Sequence, residues 1–208
     1  MIRGRIISSL GNGEMDELVV ILQDQVLIEL LLQGSHRRKM GRVETREFYI
    51  YATGSVSSIT STVYGVSFTL TAEILSSILR IRKRGCGHYF KKDWPSLEGN
   101  TSKIEICRRS LNNPTLSEYS TVDKRSMLPL HQFLFNVVHK ILLPRKKKRT
   151  EACYLDLTLM ELLLSKIQIN LPILIPSHIH SLSMLDKKKR GFAYGFWLDK
   201  CLNILVNL

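Results

Sequence analysis

The chain has 208 residues, 44% of them hydrophobic, with only 12 Gly and 6 Pro. This supports one folded domain with a sizeable core and excludes a low-complexity or wholly disordered chain. Thirty Lys and Arg against 18 Asp and Glu give a net charge of +12; such a balance attracts polyanions (nucleic acid, acidic proteins, anionic membrane surfaces) or serves solubility alone.

The first residues, Met1 to Ile7, hold no long apolar run ending in a small-residue cleavage site, so no secretory signal is expected. Residues 16–34 predict a helix. Leu18, Leu22, Val26 and Leu30 recur at helical spacing, Asp16 and Glu17 sit in the first turn, and Gly34 stops it. Residues 46–52 are aromatic and β-branched and predict a strand. Residues 60–70 also read as β, with Val66, Phe68 and Leu70 alternating against Ser67 and Thr69. Gly65 suits a tight turn that divides the stretch into two short strands. Thr71 then caps a helix over about 72–82, with Ile74, Leu75, Ile78 and Leu79 on one face.

Residues 83–125 carry several Gly, Pro and Asn and predict a long irregular connection, with one short helix around Ile104 to Leu111. Residues 127–143 predict a helix with Pro129 in its first turn. Residues 151–168 are apolar almost all round, as a central buried helix is. Pro172 and Pro176 predict a late start or a kink in the helix over 171–185, and 193–206 forms the last helix. The sum is an α+β fold, mainly α: a helical domain with a small antiparallel β element near residues 46–70. Residues 1–44 form an N-terminal helical segment and residues 45–208 the main domain. No stretch offers the roughly 20 uninterrupted apolar residues that spanning a membrane requires, so no membrane span is expected, and no membrane partner is assigned.

The cations are clustered. Four runs hold 16 of the 30: Arg37 to Lys39; Arg80, Arg82, Lys83 and Arg84; Arg145, Lys146, Lys147, Lys148 and Arg149; and Lys187, Lys188, Lys189 and Arg190. Each falls at or just beyond the end of a predicted helix, where one or two cations offset the negative end of the dipole by roughly 0.3–1 kcal/mol each. Four or five in a row exceed that need. The two long runs, Arg145–Arg149 and Lys187–Arg190, are therefore the candidate nucleic-acid-binding residues. The segment from Pro144 to Arg149 also has the form of a nuclear import signal.

The residues that could carry chemistry are sparse. Cys86, Cys107, Cys153 and Cys201 lie far apart, without a CxxC pair, and read as reduced thiols of an intracellular protein. Cys86 and His88 with Cys107 lack the paired spacing of a zinc site, so no metal or other cofactor is expected. His178 and His180 diverge on a helix. His131 and His139, eight apart, share a helix face and read as packed histidines. Asp93, Asp123, Asp156, Glu161 and Asp199 are the carboxylates a metal-dependent nuclease would draw on, but none sits in a strand that would present it. No GxxxxGK[ST], GxSxG, HExxH or GxGxxG occurs. No catalytic residues are assigned, and the enzyme reading is the weaker one.

The order of segments resembles a known family. Arg46-Glu47-Phe48-Tyr49 is followed by Val63-Tyr64-Gly65-Val66-Ser67-Phe68 and by Leu79-Arg80-Ile81. Later come Phe133-Leu134-Phe135-Asn136, Leu143-Pro144, Ile169-Asn170-Leu171-Pro172, and Lys188-Lys189-Arg190-Gly191-Phe192-Ala193-Tyr194-Gly195-Phe196. Over about residues 45–205 this resembles the plant transposon protein domain, found in plant genomes alone or beside retroelement sequences. The arginine that usually precedes the glycine of the Tyr64-Gly65 turn is absent, and several glycines near 165–170 are replaced. The resemblance implies a transposable-element origin and carries over no catalytic residues. The expected function is that of a non-enzymatic, gag-like domain that contacts nucleic acid through basic loops and self-associates. The alternatives are a degenerate nuclease or transposase domain whose carboxylates converge only in the fold, and a decayed copy without selected function.

Overall fold

The computed structural model describes residues 42–87, 102–118, 121–145, 150–184 and 194–206. The helix expected over 16–34 and the segment 1–41 lie outside them. The described chain runs α1 (Arg42–Tyr51), β1 (Thr53–Gly54), β2 (Ser58–Val63), β3 (Val66–Thr71), α2 (Ala72–Leu79), α3 (Lys103–Leu111), β4 (Val122–Asp123), α4 (Pro129–Val137), β5 (Glu151–Ala152), α5 (Tyr154–Leu164), α6 (Leu171–Ser183) and α7 (Gly195–Leu205). The fold is α+β and mainly α, with a three-stranded antiparallel sheet in the order β1-β2-β3 and a second sheet of β4 and β5.

The segment 46–52 is not the strand that its aromatic and β-branched residues predict. It lies in α1 up to Tyr51. Burial explains the difference: Thr45, Phe48 and Tyr49 are the buried positions, and that spacing is one helical face. Packing against β2 overrides β propensity. Phe48 stacks on Phe68 with ring centroids 6.0 Å apart, and its carbonyl accepts a hydrogen bond from the buried Ser61 hydroxyl at 2.7 Å. The helix also runs across the expected domain boundary at 44/45.

The hairpin forms where Gly65 predicts it. Val63 pairs with Val66 across the two-residue turn Tyr64-Gly65, and both turn residues have positive φ, 50° and 79°, as a type I′ connection requires. Glu47 accepts from the Tyr64 amide at 3.1 Å and Glu44 from its hydroxyl at 2.8 Å, tying the turn to α1. Ile59, Ser61 and Val63 face inward and alternate with outward residues, so β2 has one core face.

Thr71 caps α2 as expected, its hydroxyl accepting from the Ile74 amide at 3.3 Å, and Arg80 ends the helix in the left-handed region. The connection over 83–125 does hold one short helix, α3, capped by Ser102. The pairing of Val122–Asp123 with Glu151–Ala152 is not apparent in the sequence. It delays the start of the buried helix to Tyr154.

α4 starts with Pro129 in its first turn and continues as a π-helical turn over Val138–Leu142. From Asp156 to Leu163 every residue of α5 is buried. Leu159 and Leu163 are thus in the core as expected, while Ile167 is half-buried at its edge. α6 begins at Leu171 and continues through Pro176. Proline at 176 removes one backbone donor. At the next position the Ser177 hydroxyl donates to the Ile173 carbonyl and approaches the Val56 carbonyl at 3.2 Å, linking helix to sheet. One apolar cluster joins all the helices to the three-stranded sheet, and no helix of the described residues is long and apolar enough to cross a membrane.

Candidate functional site

The first long basic run opens at Arg145, and its first cation points inward. Arg145 donates through Nη2 to Oδ1 of Asp156 and through Nη1 to the Cys153 sulfur at 3.4 Å. The Asp156 side chain is fully buried, and that of Arg145 is 20% exposed. The other carboxylate oxygen accepts from the Cys153 amide at 2.8 Å. It satisfies a backbone donor at the start of α5 that the helix itself cannot. Burial would lower the Arg145 pKa, but the hydrogen bond and charge of Asp156, helped by Cys153, outweigh it and raise the pKa. The sequence groups Arg145 with the candidate phosphate-binding cations of its run. The structure commits its guanidinium to a buried partner.

Two further side chains complete this cluster. His178 of α6 lies with Nε2 3.1 Å from the Pro144 carbonyl. A carbonyl only accepts, so Nε2 carries the proton. Burial lowers the His178 pKa to about 4 against the opposing effect of that hydrogen bond, and the Arg145 and His139 charges lower it further. The imidazole is therefore neutral at pH 7. Tyr194, in a left-handed conformation at the start of α7, packs edge-on against His178 with centroids 5.7 Å apart. Its hydroxyl donates to the Leu142 carbonyl at the end of the π-turn.

This cluster fixes where the first long run leaves the described structure and where the chain returns after the second. Lys146 to Arg149 and Lys187 to Arg190 lie outside the described residues. The chain on either side of the first run is held. Arg145 is anchored on Asp156, and the Thr150 carbonyl accepts from the Lys124 amide at 2.7 Å. The second run lies between Met184, which follows α6, and Tyr194. Tyr194, the first described residue after the second run, bonds to the Leu142 carbonyl, three residues before Arg145 in the sequence. Of the other runs, Arg37 to Lys39 lie outside the described residues, and Arg80, Arg82, Lys83 and Arg84 are exposed beyond α2.

A cleft of about 440 Å³ opens between α3, α4 and α5. There Arg109 pairs with the buried Glu161 at 2.7 Å, and the Ser165 hydroxyl donates to the same carboxylate at 3.4 Å. His131 lines the cleft beside Leu128 and Leu130. Glu161 is held by an arginine, so this arrangement is that of a neutralised ion pair.

Among the described residues the other chemistry-bearing groups form no common site. Cys107 and Cys201 are buried, and burial pushes the Cys201 thiol up to about 12. Cys86 takes part in a β-bridge with Ile169, and His88 and Asp93 lie outside the described residues. His139 packs against Phe135. Asp123 caps a 3₁₀ turn, accepting from the Arg125 amide at 2.7 Å. Burial raises the pKa of Asp199 on α7. Among the described residues no group of three or more His, Cys, Asp or Glu is placed to hold a metal ion. Asp156, His178 and Tyr194 are the residues whose joint role the sequence reading missed. The one available signal was Asp156, an acidic residue in an otherwise apolar helix, which demands a buried partner.

Compared with protein-family models, curated proteins and solved structures, the chain matches none.

Proposed function

We propose that the chain is a non-enzymatic, transposable-element-derived domain, gag-like in role, that binds nucleic acid through its basic loops. The phosphate-facing cations of this reading are Lys146, Lys147, Lys148 and Arg149 with Lys187, Lys188, Lys189 and Arg190. Arg145 anchors the first loop on Asp156. The order of motifs shared with the plant transposon protein domain supports the origin. The form of the segment from Pro144 to Arg149 supports nuclear import.

One observation carries the binding role. The Leu142 carbonyl, at the end of the helix before the first run, takes its hydrogen bond from Tyr194, and the Pro144 carbonyl takes one from His178. Buried side chains thus serve the helix end that nearby cations would otherwise serve. A helix-end role accounts poorly for the four cations that follow Arg145. Repulsion within such a run is relieved when it neutralises phosphates, and the counterions condensed on the nucleic acid are released.

The test is a salt titration of binding to a fluorescent DNA duplex and to a single-stranded RNA, each in two unrelated sequences. The expected result is a linear fall of log K with log salt, about −0.9 per phosphate neutralised on the duplex and about −0.7 on the single strand. Affinity should depend little on sequence, because lysine loops supply charge without reading base edges. Absence of binding at low salt, or salt-insensitive binding to one sequence only, would overturn the reading.

A further inference from the structure

The basic segment beyond α2 is built differently from a free loop. Arg80 closes α2 with φ 56°. Ile81 is buried, its amide bonds to the Ser76 carbonyl at 3.1 Å, and its carbonyl accepts from the Ser76 hydroxyl at 2.6 Å. Five residues on, Cys86 is fixed from both sides: its amide donates to the Gln168 carbonyl at 2.8 Å, and its carbonyl accepts from the Asn170 amide at 3.0 Å. Gly85 between them has φ 98°, and a Cβ there would fall 1.9 Å from the Gln168 carbonyl oxygen. The segment is thus pressed against the turn that follows α5. In that turn Lys166 is exposed with φ 56°.

The outcome is a short strap, pinned at both ends, with Arg82, Lys83 and Arg84 exposed along it and Lys166 exposed on the adjoining turn. Neither 80–86 nor 164–170 contains a carboxylate. Lys83 pairs with Glu73 on the surface. Among the described residues no carboxylate pairs with Arg82, Arg84 or Lys166. Three cations are therefore available on a backbone that needs little ordering to receive an anion.

We infer that this strap, Arg82 and Arg84 with Lys166 beside them, is a second, preformed contact for the phosphate backbone of nucleic acid, separate from the two long runs. The inference rests on the nucleic-acid reading above. Arginine suits it because a planar guanidinium takes a phosphate through two parallel hydrogen bonds. An anionic membrane is the less suitable partner. Among the described residues the exposed large apolar side chains lie on α1, on the hairpin, and at Leu128, Met184 and Ile204, so neither 80–86 nor 164–170 carries one for insertion between lipids. The strap positions phosphates and reads no bases.

The test compares the full chain with R82Q/R84Q/K166Q, R82K/R84K and, separately, K146Q/K147Q/K148Q, on the same fluorescent duplex across a salt series. The strap variant should bind more weakly and lose about two to three units of salt slope. The charge-preserving R82K/R84K variant should keep the slope and lose only part of the affinity. Circular dichroism verifies that each variant is folded, as expected for exposed side chains. If the 146–148 variant loses slope while a folded strap variant keeps it, the strap inference falls and the basic-loop reading stands. If the strap variant alone loses slope, the inference stands and the loops fall. If the unaltered chain ignores nucleic acid but binds phosphatidylserine vesicles, both fall.

Discussion

Arg145 and Asp156 form a buried ion pair across eleven positions of sequence, joining the end of the π-turn to the first turn of α5. Removing one partner of such a pair leaves the other charge buried and uncompensated. Asp156→Ala should therefore destabilise the fold by about 3 kcal/mol, the lower end of the usual range, because Arg145 retains some contact with water. Replacing both, as Arg145→Met with Asp156→Leu, should cost clearly less. Urea denaturation of the single and double variants checks this. Equal losses in the two would show that the pair is not the source.

His178 sets a pH dependence. Its folded pKa, about 4, lies below the ordinary value of 6.5. Below pH 6.5 the unfolded chain takes up a proton at this site that the folded chain refuses. Stability from this group is complete above about pH 6.5, falls as pH drops towards 4, and changes no further below. From pH 7 to pH 5 the loss is about 2 kcal/mol. His178→Gln retains a donor for the Pro144 carbonyl and does not titrate. The difference in unfolding free energy between the two proteins should shift by that amount across the window, and a constant difference would contradict the assignment.

Leu163 lies on the almost wholly buried α5. Its replacement by Ala should cost about 2–5 kcal/mol through lost burial and an unfilled cavity. Thermal and urea unfolding measure it, and an unchanged melting temperature would place α5 outside the core.

Gly85 allows no side chain, because its φ of 98° and its approach to Gln168 both exclude a Cβ. Gly85→Ala should destabilise by about 2–3 kcal/mol and loosen the strap. Faster hydrogen exchange at the Cys86 amide, bonded to Gln168, is the local signature. Unchanged protection there would mean that the close approach does not hold the strap.

Local patterns were legible where one element decides its own structure. Gly65 among alternating residues announced the hairpin, Thr71 the start of α2, and the unbroken apolar character of 151–168 the buried α5. The segment 46–52 was misread because its aromatic and β-branched side chains suit a strand. Only the sheet it packs on selects the helix that buries Thr45, Phe48 and Tyr49. The two-residue strands β4 and β5 are too short to leave a pattern. Arg145 looked like the first residue of a solvated run because nothing local distinguishes it from Lys146. Its partner is reached only after the chain turns through β5. Asp156, His178 and Tyr194 come from three different elements, so their meeting is a property of the packed fold.

On the proposed reading the cations of 146–149 and 187–190 contact phosphates. The most direct measurement is the salt slope of duplex binding for the unaltered chain and for Lys146→Gln/Lys147→Gln/Lys148→Gln. The triple variant should bind more weakly on every sequence and with a slope flatter by about two to three units, its unfolding midpoint unchanged. An unchanged slope in the folded triple variant would contradict it.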